Sequence, residues 1–142
     1  MLSAFGPRVP IAKAGANLLR DFAVALTTAI QPAGVRRVVV VSTAFRFKDS
    51  IVPPTYLFGR LFFSGIMIEA SAMERVVREN DLDWTIVRPP QLTDKPHTGK
   101  YRVRERHLPR FGFNISRADV ADCFIKTAED RTSMRKILGA GN

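Results

Sequence analysis

The hydrophobic positions of this chain alternate between short apolar runs and helical stripes. Residues 1–5 are mostly apolar and stop at Gly6-Pro7, which predicts the end of a buried strand. Over residues 17–30 the apolar side chains are Leu18, Leu19, Phe22, Ala23, Leu26, Ala29 and Ile30. That spacing predicts a helix with one wide apolar face, ended by Pro32 and Gly34. Residues 35–41 carry the unbroken β-branched run Val38-Val39-Val40-Val41. It does not alternate, so both faces are expected to be covered, as in a parallel strand between helices. Residues 45–65 form a long irregular stretch with Pro53-Pro54 and the phenylalanines Phe45, Phe47, Phe58, Phe62 and Phe63. It reads as a loop holding a short helix near 56–63, and loops of that length are usually functional or mobile.

A second helix is predicted over residues 66–80, with Ile66, Ala70, Met73 and Val77 on one face and Glu69, Glu74 and Arg78 on another. Residues 84–87 predict the next strand, which Arg88-Pro89-Pro90 breaks. Residues 99–106 alternate, with Tyr101, Val103 and Glu105 opposite Arg102, Arg104 and Arg106. This predicts an edge strand whose basic outer face guards against further pairing. Ser116-Arg117-Ala118-Asp119 reads as a capping-box-like helix start, continued by Val120, Phe124 and Ala128. Residues 135–138 predict a last strand. Strands alternating with helices argue for an α/β domain around a parallel sheet.

The length, 142 residues, suits one domain with one core. Hydrophobic residues at 46% and charged residues at 25% are globular proportions, which excludes wholesale disorder. The one cysteine, Cys123, cannot form an intramolecular disulfide, which fits a reducing, cytoplasmic compartment. No apolar run approaches the roughly 18 residues of a membrane span. Arg8, Lys13 and Arg20 give the first residues a basic character that a presequence would share, but the stretch reads better as strand, loop and helix. The net charge of +9 favours anionic partners without choosing among them. Part of it is concentrated in Lys95, Lys100, Arg102, Arg104, Arg106 and Arg110. A charge run of this kind is usually a solvated face, so nucleic acid is an unfavoured partner. His97 and His107 lack a second ligand pair, which disfavours a metal site.

Four blocks carry a resemblance. They are Gly34-Val35-Arg36-Arg37-Val38-Val39-Val40-Val41-Ser42-Thr43-Ala44, Leu82-Asp83-Trp84-Thr85-Ile86-Val87-Arg88-Pro89-Pro90-Gln91-Leu92-Thr93-Asp94, Thr98-Gly99-Lys100-Tyr101 and Ile115-Ser116-Arg117-Ala118-Asp119-Val120-Ala121-Asp122. In this order they resemble the NAD(P)H-binding atypical short-chain dehydrogenase/reductase family, including its NmrA-like members. Val52-Pro53-Pro54 and Pro89-Pro90 are most similar to its biliverdin reductase B–flavin reductase-like branch. The resemblance implies a Rossmann-like doubly wound parallel sheet with nucleotide at the carboxyl ends of its strands. It matches residues 1–6 to the fourth strand of that fold, so the first βαβαβ half would lie upstream. The chain is therefore expected to form residues 1–142 of a single truncated domain lacking that half. A fragment and a half-domain completed by another chain both remain open.

The glycines support this expectation. They stand at positions 6, 15, 34, 59, 65, 99, 112, 139 and 141, and none makes a GxGxxG or GxxGxxG turn feeding a helix. The resemblance still implies NAD or NADP as cofactor, with binding by this chain alone in doubt. It places Gly6, Arg8, Ser42, Thr43, Pro89, Pro90, Gln91 and Leu92 against the cofactor. Ser42 and Thr43 are the candidate catalytic hydroxyls near the nicotinamide. The branch pattern has His where Gln91 stands, and an amide cannot serve as an acid. Many relatives pair Tyr with Lys four residues on, so that the lysine tunes the phenol. The matching positions here are Ile66 and Ala70, which cannot move a proton. Tyr56 and Arg60 have that interval, but Arg stays charged and cannot tune in the same way.

The resulting expectation is an NAD(P)H-dependent oxidoreductase, passing hydride to a flavin, a tetrapyrrole or a small carbonyl compound, with solvent supplying the proton. Its alternative is a non-catalytic dinucleotide-binding regulator of the NmrA-like type. The partners are the dinucleotide and a small substrate, with no membrane. Loss of the first half would also expose a sheet edge through which the chain could self-associate.

Overall fold

A computed structural model describes residues 1–5, 17–44 and 64–142 of the chain. The expected aromatic loop over 45–63, with Tyr56 and Val52-Pro53-Pro54, lies outside the described residues, as do Gly6 and Arg8. The elements run β1 (Leu2–Ser3), α1 (Leu18–Ile30), β2 (Arg37–Val41), α2 (Ser64–Glu79), β3 (Asp83–Arg88), β4 (Gln91–Thr93), β5 (Arg102–Glu105), β6 (Asn114–Ser116), α3 (Arg117–Glu129), a 3-10 turn at Arg131–Ser133 and β7 (Lys136–Gly141).

The main sheet has the order β1-β2-β3-β7-β5. The first four strands are parallel and β5 is antiparallel to β7. The mainly parallel α/β architecture expected from the sequence is therefore present. The valine run of β2 behaves as its lack of alternation predicts. Val38 and Val40 pack under α1 and α2 with Trp84 and Ile86, while Val39 faces Val120, Cys123 and Phe124 of α3. Each valine so buried contributes roughly 1.5–3 kcal/mol.

β1 corrects one expectation. It is two residues long and lies at the sheet's outer edge, pairing among the described residues with β2 alone. Leu2 is accordingly 44% exposed rather than buried. β5 is the basic edge strand that alternation predicted, exposed along its length. A two-stranded parallel pair, β4 with β6, was not anticipated.

Arg37 ties three elements at the amino ends of the strands. Its guanidinium donates to the carbonyl of Asp83 and the hydroxyl of Thr85 at 2.8 Å each. It also donates to the carbonyl of Thr127 at 2.6 Å and of Ala128 at 3.4 Å, and to the Ser133 hydroxyl at 2.7 Å. Thr127 and Ala128 end α3, where carbonyls lack intrahelical partners and a cation is favoured.

Candidate functional site

The carboxyl ends of β2 and β3 lie side by side, with Val41 in register with Val87. The turn after β2 is fastened to β3 by its backbone. Ser42 N–H donates to the Val87 carbonyl at 2.8 Å and Ala44 N–H to the Pro89 carbonyl at 3.2 Å. These bonds bring Ser42, Thr43, Pro89 and Pro90 to one rim. Pro89 is buried, while Thr43 and Pro90 are half-buried. The chain then turns outward into β4, where Gln91 and Leu92 are exposed and pair with Asn114 and Ile115 of β6. Six of the eight expected site residues thus share one end of the sheet, and Gly6 and Arg8 are outside the described residues.

Beneath this rim is a buried ion pair that periodicity misassigned. Glu74 was expected on the polar face of its helix, yet it is 1% exposed. Arg88 grips it with two N–H groups, at 3.0 Å from Nε and 2.6 Å from Nη2. The Ser42 hydroxyl donates to the same carboxylate at 2.5 Å. A charge is tolerated at this depth because its partner and hydrogen bonds replace water. The signal available in the sequence was position. Glu74 follows Ala70 by four residues and precedes Val77 by three, so it falls on the apolar stripe.

A second cluster holds the segment that follows β4. Asp119 is fully buried and accepts from Thr98 N–H, the Thr98 hydroxyl and Gly99 N–H, each at 2.9 Å. Burial pushes its carboxyl up, but the Thr98 and Gly99 amides and the Ser116 and Thr98 hydroxyls outweigh that and hold it at about 2. Ser116 caps α3 by accepting from Asp119 N–H at 3.0 Å. The hydroxyl half of the expected capping box is therefore formed, while the carboxylate turns to the Thr98 segment instead. Tyr101 donates to Asp122 at 2.7 Å, and burial together with this bond keeps its phenol well above its ordinary value. A phenol so held is a poor proton donor at neutral pH. His97 lies 3.6 Å from Asp119 and 3.8 Å from Asp122. Cys123 is buried, and burial raises its thiol, which suits a core residue rather than a nucleophile.

A mainly parallel sheet with helices on both faces and polar turns at its carboxyl ends defines a Rossmann-like nucleotide-binding fold. The chain belongs to the NAD(P)H-binding family, whose sequence profile matches residues 3–131. Solved structures agree on the fold. The oxidoreductase ylbE of Lactococcus lactis superposes with a TM-score of 0.78 at 20% identity, covering 99% of this chain and 60% of that one. A wide-type short-chain dehydrogenase/reductase of Veillonella parvula, in complex with NADP, superposes at 0.71 with 25% identity over 87% of this chain and 58% of that one. A Rossmann-fold NAD(P)-binding family protein of Shigella flexneri gives 0.61 and 20% identity over 87% of this chain and 54% of its own length. The chain thus spans a little over half the length of these structures. No curated protein matches it. Among the described residues, no helix is long and apolar enough to cross a membrane.

Proposed function

We propose that this chain forms the nicotinamide-side part of an NAD(P)H-dependent reductase site. The observation that supports the reading is the rim at the carboxyl ends of β2 and β3, the end of the sheet at which folds of this type bind nucleotides. Thr43, Pro89, Pro90, Gln91 and Leu92 would flank the nicotinamide ring. The bound dinucleotide supplies a hydride, and the protein orients and polarises the acceptor. Thr43 is the hydroxyl that touches cofactor or substrate. Ser42 is a positioning residue, because its hydrogen is already given to Glu74. The pyrophosphate would be held elsewhere, since no described glycine opens a turn of the fingerprint type. In this reading residues 1–142 are a single domain that holds the nicotinamide side of the site and does not turn substrate over without a phosphate-binding half.

The acceptor is a flavin, a tetrapyrrole or a small carbonyl compound, as the flavin reductase-like resemblance suggests. A second reading, a dinucleotide-binding regulator of the NmrA-like type, is favoured by Ile66 and Ala70 at the proton-relay positions. It is also favoured by the engagement of Tyr101 with Asp122.

Calorimetry with NADPH and NADH tests both readings. The chain alone is expected to bind neither tightly. Joined to the βαβαβ half of a family member, it is expected to bind one of them and oxidise it with a flavin present. In that form Thr43→Ala should lower kcat/KM about tenfold, the worth of one hydrogen bond of about 1.4 kcal/mol. Binding without oxidation of the nucleotide by any of the three acceptor classes would favour the regulator. Failure of the joined form to bind would sink both readings.

A further inference from the structure

A groove of about 550 Å³ runs between α2 and the segment that leads into β7, within the size range of small-ligand sites. Trp84, the chain's single tryptophan, lines it together with Arg75, Arg78 and Arg135. The Arg78 guanidinium lies 5.8 Å over the centroid of the Trp84 ring, a cation–π arrangement. Arg135 is held in the left-handed backbone region at φ 57°, which non-glycine residues rarely adopt. Its N–H donates to the Trp84 carbonyl at 2.6 Å, so this turn fixes Arg135 beside the strand that bears the indole. Arg75 is exposed, and its side chain makes no hydrogen bond or ion pair among the described residues.

The opposing charges do not cancel these three. Glu74 closes the inner end of the groove but is already paired with Arg88. Asp81 holds Arg135 at 2.8 Å, yet the two side chains are 77% and 58% exposed, and a pair so solvated is readily exchanged for another anion. That leaves Glu79 as the acid facing three guanidinium groups. The indole lies toward the opposite end of β3 from the rim described above. Trp84 precedes Val87 by three residues along β3, roughly 10 Å at the rise of an extended strand.

We propose that this groove is a second binding site, for a small ligand that carries a phosphate on a planar ring. The ring would lie against the Arg78 guanidinium, which covers the face of Trp84. Its phosphate would bridge Arg75 and Arg135, whose planar forks suit paired hydrogen bonds to phosphate oxygens. Glu74 belongs to both regions, since it lines the groove and accepts from Ser42.

Because the chain has one tryptophan, its fluorescence reports occupancy directly. Phenyl phosphate is expected to change the Trp84 emission saturably at millimolar concentration, inorganic phosphate more weakly, and benzyl alcohol not at all. Arg75→Glu should weaken the phenyl phosphate titration at least tenfold while leaving the unfolding transition in place. Arg75→Lys should recover part of the loss. Absence of a saturable change, or an unaltered titration in Arg75→Glu, would each overturn the proposal.

Discussion

Glu74 shows how much can depend on one carboxylate. It is 1% exposed and meets Arg88 and Ser42 at the junction of α2, β2 and β3. Neutralising it would remove the carboxylate that the Arg88 guanidinium, 6% exposed, grips with two N–H groups. Removing one partner of such a pair costs about 3–5 kcal/mol. Urea unfolding of Glu74→Gln should therefore show a loss of that order; a loss below about 1 kcal/mol would mean that the pair behaves as a solvated one. Position in the helix hinted at this burial, but the partner did not, because Arg88 belongs to another element and reads in sequence only as a strand end. Arg37 is the same case. Beside Arg36 it looks like a basic flank, and its five partners come from segments up to 96 residues away.

Asp119 carries the matching argument for pH. In the folded chain its carboxyl is held at about 2, against an ordinary value of 3.8. A carboxyl that is the stronger acid in the folded state stabilises that state fully above the ordinary value. The contribution is lost as pH falls through the lower one. The urea midpoint should therefore drop as pH is lowered from about 5 to about 2. Asp119→Asn, which keeps the shape and removes the charge, should start lower and fall less steeply over the same interval. Parallel profiles for the two proteins would show that other carboxylates carry the acid sensitivity.

The long elements were legible because they bury one or two faces continuously. α1, β2, α2, β3 and α3 each repeat a periodic signal over several residues, and each is found within a few residues of its expected ends. β4 and β6 have three residues each, too few for a period to register. Their pairing depends instead on where the Pro89-Pro90 turn sends the chain. The glycines near the end of β7 illustrate a different limit. Gly139 and Gly141 offered no helix to feed and so carried no nucleotide signal. Their role is close approach. A Cβ on Gly139 would stand 2.2 Å from the His107 carbonyl oxygen, and one on Gly141 would stand 2.9 Å from that of Gly112. The segment following β5 thus crosses against β7 and sets Leu108 against Ala44 and Ile137. The obstacle at Gly139 is backbone and cannot swing aside. Gly139→Ala should therefore destabilise the fold by at least the 1–3 kcal/mol typical of overpacking. Calorimetric melting checks this, and a melting temperature equal to that of the parent would mean that the crossing segment is loosely held.

At the scale of the whole molecule, the two edges of the sheet are unequal. β5 closes one side with Arg102 and Arg104, and solvated like charges resist pairing with a second copy. The other side ends in β1, where Met1, Leu2 and Phe5 are exposed. Phe5 stacks on Phe22 of α1 with ring centroids 4.2 Å apart, so this apolar surface continues from the strand onto the helix. A strand edge and an apolar helix flank that are exposed together favour association. Sedimentation of the chain should show mass rising with concentration, and Leu2→Lys should suppress that rise by placing a charge where a partner would pack. The substitution leaves the inner side of β1 paired with β2, so the melt should remain cooperative. A parent chain that stays monomeric at every concentration and melts in one transition would show that this edge is already protected, and the self-association reading would fall.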